Sequence, residues 1–237
     1  MADAMPADAL RDRTLLITGA SGIVGWGLAH AAIAAGARLV LPSRSAQGVE
    51  ALQREFGGTA VLATRYDVTS SANLERLRET VLSTFGRLDH VIAPMGGWWQ
   101  KGPTLTQDVG ELSALLSTYV EAQLRLLQAM AEPLRAAGGS YTLVSGAAGE
   151  RHVRRAGLLV VAVRAQYALS SVLRRELDED TLRFNEVRVA CRIERETRAG
   201  AVPAKLAGAH LLEALRAGYR GCLLRYDGRS LGVDAEA

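Results

Sequence analysis

Short apolar segments alternate with longer amphipathic segments along nearly all of this 237-residue sequence, and this alternation limits its possible folds more than any other feature. The apolar segments are rich in Val, Ile and Leu, which is typical of strands buried on both faces. Strands alternating with helices form a parallel sheet with helices on both faces, and right-handed crossovers make that sheet doubly wound. We therefore predict one α/β domain over residues 1–237, with seven parallel strands and a flexible N-terminus over residues 1–12.

The ends of the elements are predicted where glycine, serine or charged residues interrupt the apolar pattern. The predicted strands cover residues 14–18, 38–43, 60–68, 88–94, 140–145, 186–193 and 221–228. The predicted helices cover residues 24–36, 46–57, 71–86, 107–136, 158–178 and 203–217.

Composition and charge are ordinary for a globular protein, with 49% hydrophobic residues, 22% charged residues and a net charge of +3. The densest basic cluster, residues 151–155, lacks the interleaved aromatic residues typical of nucleic-acid binding. The longest apolar run, residues 158–163, is too short to cross a bilayer. Cys191 and Cys222 stand in no metal or redox spacing, which fits a reduced cytosol. We expect a cytoplasmic protein that binds a small molecule, with no metal, nucleic acid or membrane partner.

The first predicted strand runs directly into a glycine-rich turn, TGASGIVG, and then into a helix. Gly19 allows a sharp turn, Gly22 lets the backbone approach a phosphate, and Gly25 lets the helix pack close to the strand. The helix start adds free N–H groups and the positive end of a dipole, so the turn predicts a Rossmann-like pyrophosphate site. The cofactor-binding residues predicted here are Gly19, Ser21, Gly22, Ile23 and Gly25.

The end of the second predicted strand indicates which dinucleotide would bind. An acidic residue there would bind the ribose hydroxyls of NAD, whereas this chain has Ser43 and Arg44. A guanidinium suits the 2′-phosphate of NADP(H), which is the cofactor that we predict. After the third strand, Asp67 is expected to accept a hydrogen bond from the adenine amino group, with Val68 beside it.

These motifs together resemble the short-chain dehydrogenase/reductase family over nearly the whole chain. The matching segments are TGASGIVG, SRSAQGVEAL, YDVTS, GRLDHVIAPMGG and GCLLRYDGRSLG. Ile23 takes the place of the family's middle glycine, and Ala93, Pro94, Met95 and Gly96 replace its Asn-Asn-Ala-Gly motif. The resemblance implies that Ala93, Pro94 and Gly96 contact the cofactor.

The family also implies a catalytic tetrad of Asn, Ser, Tyr and Lys, from which this chain departs. In family members the tyrosine protonates the carbonyl oxygen as hydride reaches the carbon, while the lysine lowers the tyrosine pKa and holds the nicotinamide ribose. The Ser-Ser pair after the fifth strand aligns Gly146 with the catalytic serine. Counting back from the end of the next helix aligns Leu159 with the tyrosine and Val163 with the lysine; a one-residue shift of frame places Val160 and Arg164 there.

No asparagine occurs at residues 117–120, where the family would have one, and Ser117, Thr118 or Tyr119 are the alternatives. Tyr167 lies eight residues beyond the tyrosine position, or about 12 Å along a helix, so it is not expected to substitute. General acid catalysis is commonly worth about 10²- to 10⁴-fold, so we expect ordinary ketone reduction to be slow.

Several polar side chains near the predicted site are candidates for a replacement acid. They are Ser145, Lys101, His152, Arg154, Arg155 and Arg192. Arg192 stands at the end of the predicted sixth strand, where it either faces the site or has already emerged into solvent. Trp98 and Trp99 follow the fourth strand at the sheet edge where ligands bind, and they either form an aromatic wall for a flat substrate or pack against the next helix.

Three functions remain open on the sequence alone. The protein either reduces an activated acceptor of the iminium, enone or quinone type, or senses NADP(H) without turnover, or catalyses a non-redox cyclisation or isomerisation. The helices at 107–136 and 158–178 are apolar on more than one face and correspond to the family's dimerisation helices. We therefore expect a homodimer or homotetramer.

Overall fold

The computed structural model describes residues 6–58, 60–67, 70–216 and 218–234. The strands are β1 (Thr14–Ile17), β2 (Arg38–Ser43), β3 (Val61–Arg65), β4 (His90–Ala93), β5 (Ser140–Gly146), β6 (Arg183–Val189), β7 (Ile193–Glu194), β8 (Val202–Pro203), β9 (Leu223–Tyr226) and β10 (Leu231–Val233). The α-helices are α1 (Ile23–Ala34), α2 (Ala46–Phe56), α3 (Ser71–Phe85), α4 (Val109–Leu116), α5 (Ala122–Ala137), α6 (Gly157–Glu176) and α7 (Ala204–Leu211).

The main sheet has the strand order β3-β2-β1-β4-β5-β6-β9-β10. The first seven of these strands are parallel, which confirms the predicted doubly wound sheet. The eighth, β10, is antiparallel to β9 and was not predicted, because its three residues are too few to show a strand pattern. A tight turn positions it, in which the Asp227 carboxylate accepts hydrogen bonds from the backbone N–H groups of Arg229 and Ser230.

Apolar clusters on both faces of the sheet hold the helices in place. One cluster lies beneath α1, α2 and α7 and includes the buried Leu28 and Leu211. The other lies beneath α3, α5 and α6 and includes the buried Leu77 and Met130. The order of strands reverses between β1 and β4, and open α/β sheets bind ligands at the carboxyl edge of such a point.

The sixth predicted strand is shifted in the structure from 186–193 to Arg183–Val189. The charged Arg183 hides the true start in the sequence, yet its side chain is buried and donates a hydrogen bond of 2.9 Å to the Arg216 carbonyl. The shift leaves Arg192 beyond the strand. Two predicted helices also differ: 107–136 is α4 and α5 joined by a π-helical segment over Ser117–Glu121, and 203–217 is the shorter α7 with a 3₁₀ turn after it.

Helix α6 is, among the described helices, the one with enough length and apolar composition to cross a membrane, at a mean hydropathy of 1.2. In the structure it packs against β5 and β6. Its buried side chains include Leu159, Val163 and Leu173.

Candidate functional site

The glycine-rich turn lies at the carboxyl edge of the sheet, and its backbone packs closely against neighbouring backbone. Gly19 has a φ of +61°, and an ideal Cβ there would lie 2.8 Å from the Pro94 carbonyl oxygen. An ideal Cβ on Gly25 would lie 2.3 Å from the Gly19 carbonyl oxygen, so helix α1 approaches the turn only because position 25 has no side chain. The close packing of the turn therefore requires glycine at positions 19 and 25, and it brings the residues after β1 and β4 into contact.

The N-terminus of α1 is suited to an anion. Gly22 begins the helix, no side chain caps it, and its first turn has no acidic residue. Its N–H groups and the positive end of its dipole therefore point to the space above Gly22 and the exposed Ser21 and Ile23. These features fit the pyrophosphate of a dinucleotide.

The predicted adenosine-side residues lie along the same edge. Arg44 is exposed directly after β2, and Ser43 is half-buried beside it. Gly48 in α2 permits this arrangement, since a Cβ there would lie 2.1 Å from the Ser43 hydroxyl oxygen. Asp67 follows β3 and is half-buried, whereas Val68 lies outside the described residues.

Leu159 and Val163, which the predicted alignment places at the family's tyrosine and lysine positions, lie in an apolar cluster. Leu159 and Val163 are each 2% exposed, and they pack with Leu115, Tyr119 and neighbouring residues of α6. At the serine position, Gly146 is exposed, and an ideal Cβ on it would meet nothing within 4 Å. A side chain would thus fit at position 146, while Leu159 and Val163 present only hydrocarbon.

At the asparagine position, the chain forms the π-helical segment that separates α4 from α5. Such segments occur frequently at functional sites. Tyr119 in this segment donates a hydrogen bond of 2.5 Å to the Gly97 carbonyl and accepts one of 2.8 Å from the Gly97 N–H. Burial raises the pKa of Tyr119. Of the three alternatives, Tyr119 contacts the loop after β4, whereas the side chains of Ser117 and Thr118 bond to the residues four positions away in the same helical region.

Behind Gly146 lies a buried polar network that the sequence analysis missed. Ser145 donates a hydrogen bond of 2.6 Å to Glu186, and Arg188 contacts the same Glu186 oxygen at 3.2 Å. The Arg188 guanidinium stacks over the Tyr167 ring at 3.7 Å. Charged residues at alternate positions of a buried strand, Glu186 and Arg188, were the only indication of it in the sequence.

Tyr167 reaches closer to the catalytic region than its position along α6 predicts. Its hydroxyl donates a hydrogen bond of 2.5 Å to the Gly146 carbonyl, because the long side chain points back toward the start of the helix. Burial raises the pKa of Tyr167 to about 12, so the phenol stays protonated at neutral pH. Its proton is committed to a backbone carbonyl, which makes it a poor replacement for the missing acid.

Two of the other candidate acids have local ion-pair partners. Lys101 forms an ion pair with Glu111, and the exposed Arg192 forms one with Glu194 at 2.6 Å. Arg192 therefore does not face the site from a strand, because β6 ends at Val189. The loop residues His152, Arg154 and Arg155 are exposed.

The two tryptophans differ in their surroundings. Trp98 is 67% exposed in the loop after β4 and donates a hydrogen bond of 3.2 Å to Gln100. Trp99 packs against the apolar cluster around Leu159 and donates a hydrogen bond of 3.2 Å to Glu111. The Trp98 ring is therefore on the surface, whereas the Trp99 ring is part of the packing around Leu159.

A cavity of about 490 Å³ lies at the opposite, amino edge of the sheet. Its lining includes Asp89, His90 and Arg183. The Asp89 carboxylate forms ion pairs with Arg13 and Arg87, so its charge is already balanced within the protein. Ligands of doubly wound sheets bind at the carboxyl edge, where the glycine turn and Gly146 lie.

Comparison with known proteins identifies the family. A family model described as enoyl-(acyl carrier protein) reductase matches residues 19–201. The chain therefore belongs to the short-chain dehydrogenase/reductase family, a family of oxidoreductases that bind nicotinamide cofactors.

Curated relatives and a solved structure agree with this assignment. An uncharacterized oxidoreductase of Mycobacterium tuberculosis is 32% identical over 144 residues, covering 59% of this chain and 52% of that protein. 11-beta-hydroxysteroid dehydrogenase 1A of Arabidopsis thaliana is 26% identical over 174 residues, covering 72% and 50%. The chain thus spans about half the length of these two relatives. A short-chain type dehydrogenase/reductase from Mycobacterium ulcerans has the same fold, with a TM-score of 0.82 at 21% identity over 94% of this chain and 93% of that one.

Proposed function

We propose that this protein is an NADP(H)-dependent oxidoreductase that reduces an activated acceptor of the iminium, enone or quinone type. Two features carry the proposal: the glycine-rich turn at Gly19 and Gly25 has the form that a dinucleotide would need, and Leu159 and Val163, predicted at the positions of the proton donor and its lysine, are buried hydrocarbon. The cytoplasmic location expected from the sequence is part of this proposal.

The nicotinamide would supply the hydride when bound, and the residues of this chain would bind and orient it. The first turn of α1 would bind the pyrophosphate through its free N–H groups. Arg44 would pair with the 2′-phosphate, and Asp67 would accept a hydrogen bond from the adenine amino group. The exposed ring of Trp98 would stack on a flat acceptor.

The apolar cluster would favour acceptors that need no proton donor. Adding hydride to a ketone leaves an alkoxide. The hydrocarbon side chains of Leu159 and Val163 would raise the free energy of this alkoxide, because they exclude water and donate no proton. An iminium is neutralised when hydride adds to its carbon and the π electrons move to nitrogen, so it needs no proton donor. A conjugated enone or quinone spreads the charge away from the cluster.

A second function is favoured by the tight packing at the same positions. Leu159 and Val163 are almost fully buried, which is how a residue with a purely structural role would pack. Under this alternative the protein binds NADP(H) as a sensor or regulatory subunit, or uses the scaffold for a non-redox cyclisation or isomerisation.

We also propose that the protein assembles as a homodimer or homotetramer through α4, α5 and α6. Exposed valines on α4 and α6 support the proposal: Val109 of α4 is 76% exposed, and Val161 and Val172 of α6 are 48% and 51% exposed. A second copy of the chain would remove these side chains from water.

Arg44→Ala is expected to weaken NADPH binding by about tenfold while leaving NADH binding unchanged, because only NADPH carries the 2′-phosphate. Fluorescence titration with each nucleotide measures the two dissociation constants. Arg54→Ala, which removes an exposed arginine from the other end of α2, is the matched control and should change neither. Equal weakening of both nucleotides by Arg44→Ala would reject the assignment of Arg44 to the 2′-phosphate.

Turnover distinguishes the proposed functions. NADPH consumption at 340 nm is measured with a panel of cyclic iminium ions and a matched panel of ketones. We expect the iminium ions to react at least about tenfold faster, because they need no acid. Rapid reduction of ketones would contradict the role given to the apolar cluster, and tight NADPH binding with no consumption by any acceptor would favour the sensor.

A further inference from the structure

Two cationic side chains, those of Arg195 and Lys205, lie beside the first turns of α1. The Arg195 guanidinium lies 5.2 Å from the centre of the Trp26 ring, and the Lys205 ammonium lies 5.2 Å from the same centre. Arg195 also donates a hydrogen bond of 2.9 Å to the carbonyl of Ser21, within the glycine-rich turn. Two cations thus flank one indole ring at a helix end whose dipole is itself positive.

The packing of α7 on α1 fixes these cations in place. An ideal Cβ on Gly27 would lie 1.9 Å from the Ala204 carbonyl oxygen, and one on Gly208 would lie 2.1 Å from the Gly27 carbonyl oxygen. The two helices therefore touch backbone to backbone, and Lys205 on the first turn of α7 has a fixed position relative to Trp26. The segment that carries Arg195 is closed by a hydrogen bond of 2.8 Å from the Val202 N–H to the Arg192 carbonyl.

The acid that approaches this cluster is already engaged. Glu55 accepts hydrogen bonds from Trp26 at 3.0 Å and from His30 at 2.9 Å. Arg195, Lys205 and the positive end of the α1 dipole therefore place positive charge next to the glycine-rich turn. An anion of two charges placed above the turn would balance it.

We propose that Arg195 and Lys205 bind the pyrophosphate of the dinucleotide, with Arg195 reaching over the glycine-rich turn from the segment between β7 and β8. This inference rests on the proposed nucleotide binding. The assignment differs from that of Arg44, which lies after β2 and is directed to the 2′-phosphate. NADH and NADPH both carry the pyrophosphate, so Arg195 and Lys205 should contribute equally to the binding of both.

The test is titration of NADPH and NADH into the full-length protein and its Arg195→Ala and Lys205→Ala variants. We expect Arg195→Ala to weaken both nucleotides by the same factor, about tenfold, and Lys205→Ala to weaken both to a smaller extent. The salt dependence of binding should become shallower in each variant, because one cation–phosphate contact is lost. Arg192→Ala is the control, since Arg192 lies on the same segment but is paired with Glu194.

The outcomes separate this inference from the proposed function. If the wild-type protein binds neither nucleotide, both fail. If the wild-type protein binds and Arg195→Ala binds equally well, only the pyrophosphate assignment fails. If Arg195→Ala weakened the binding of NADPH alone, Arg195 would lie at the 2′-phosphate, and the pyrophosphate assignment would again be wrong. Arg195→Lys, which keeps the charge, should restore part of the affinity and separates the loss of a contact from a change in fold.

Discussion

Replacing Gly25 with alanine is expected to abolish useful dinucleotide binding. The new Cβ would lie 2.3 Å from the Gly19 carbonyl oxygen and 2.8 Å from the Ala20 backbone nitrogen, and neither atom belongs to a side chain that can rotate away. The turn and the start of α1 would have to separate. Strain of about 3 kcal/mol placed on the binding conformation corresponds to a loss of affinity of roughly a hundredfold.

Titration with NADPH measures this loss, and thermal melting followed by circular dichroism shows whether the domain stays folded. Gly110→Ala is the matched control, because an ideal Cβ at position 110 makes only ordinary contacts of 3.4 Å or more. That variant should bind NADPH as the wild type does. Wild-type affinity in Gly25→Ala would mean that the glycine-rich turn is not where the nucleotide binds.

The second large effect is expected on stability, through His90 at the start of β4. Burial and, after it, the nearby Arg183 lower the pKa of His90 to about 4, compared with about 6.5 in an unfolded chain. Between these values the unfolded state binds the proton more readily than the folded state does. His90 therefore costs no stability above pH 6.5, and stability is lost as the pH falls from 6.5 toward 4. At pH 5 the loss amounts to about 2 kcal/mol.

Urea unfolding at pH 7.5 and at pH 5 measures this contribution. In the wild-type protein the free energy of unfolding should fall between these pH values by about 2 kcal/mol more than in His90→Gln, which has no imidazole to titrate. His152→Gln, in an exposed loop, is the control and should show the same pH dependence as the wild type. Equal falls in the wild type and His90→Gln would mean that His90 takes up its proton without opening the structure.

Most of the local elements and the fold class could be predicted from the sequence alone. Apolar runs such as residues 14–18 and 38–43 need only their own composition to identify buried parallel strands, and the glycine spacing at 19, 22 and 25 identifies the turn between β1 and α1. These predictions succeeded because each depends on neighbours along the chain. The alignment of Leu159 and Val163 with the family's tyrosine and lysine also comes from the sequence alone, and it stays a prediction.

Which distant side chains contact each other could be learned only from the folded structure. Tyr119 contacts Gly97 because a π-helical segment turns it toward β4, and Tyr167 reaches Gly146 across the start of α6. Arg195 meets Ser21 across 174 positions of sequence. Such contacts depend on how the helices pack over the sheet and on which charged side chains are buried or paired in the folded protein. The pattern of neighbouring residues along the sequence contains neither kind of information.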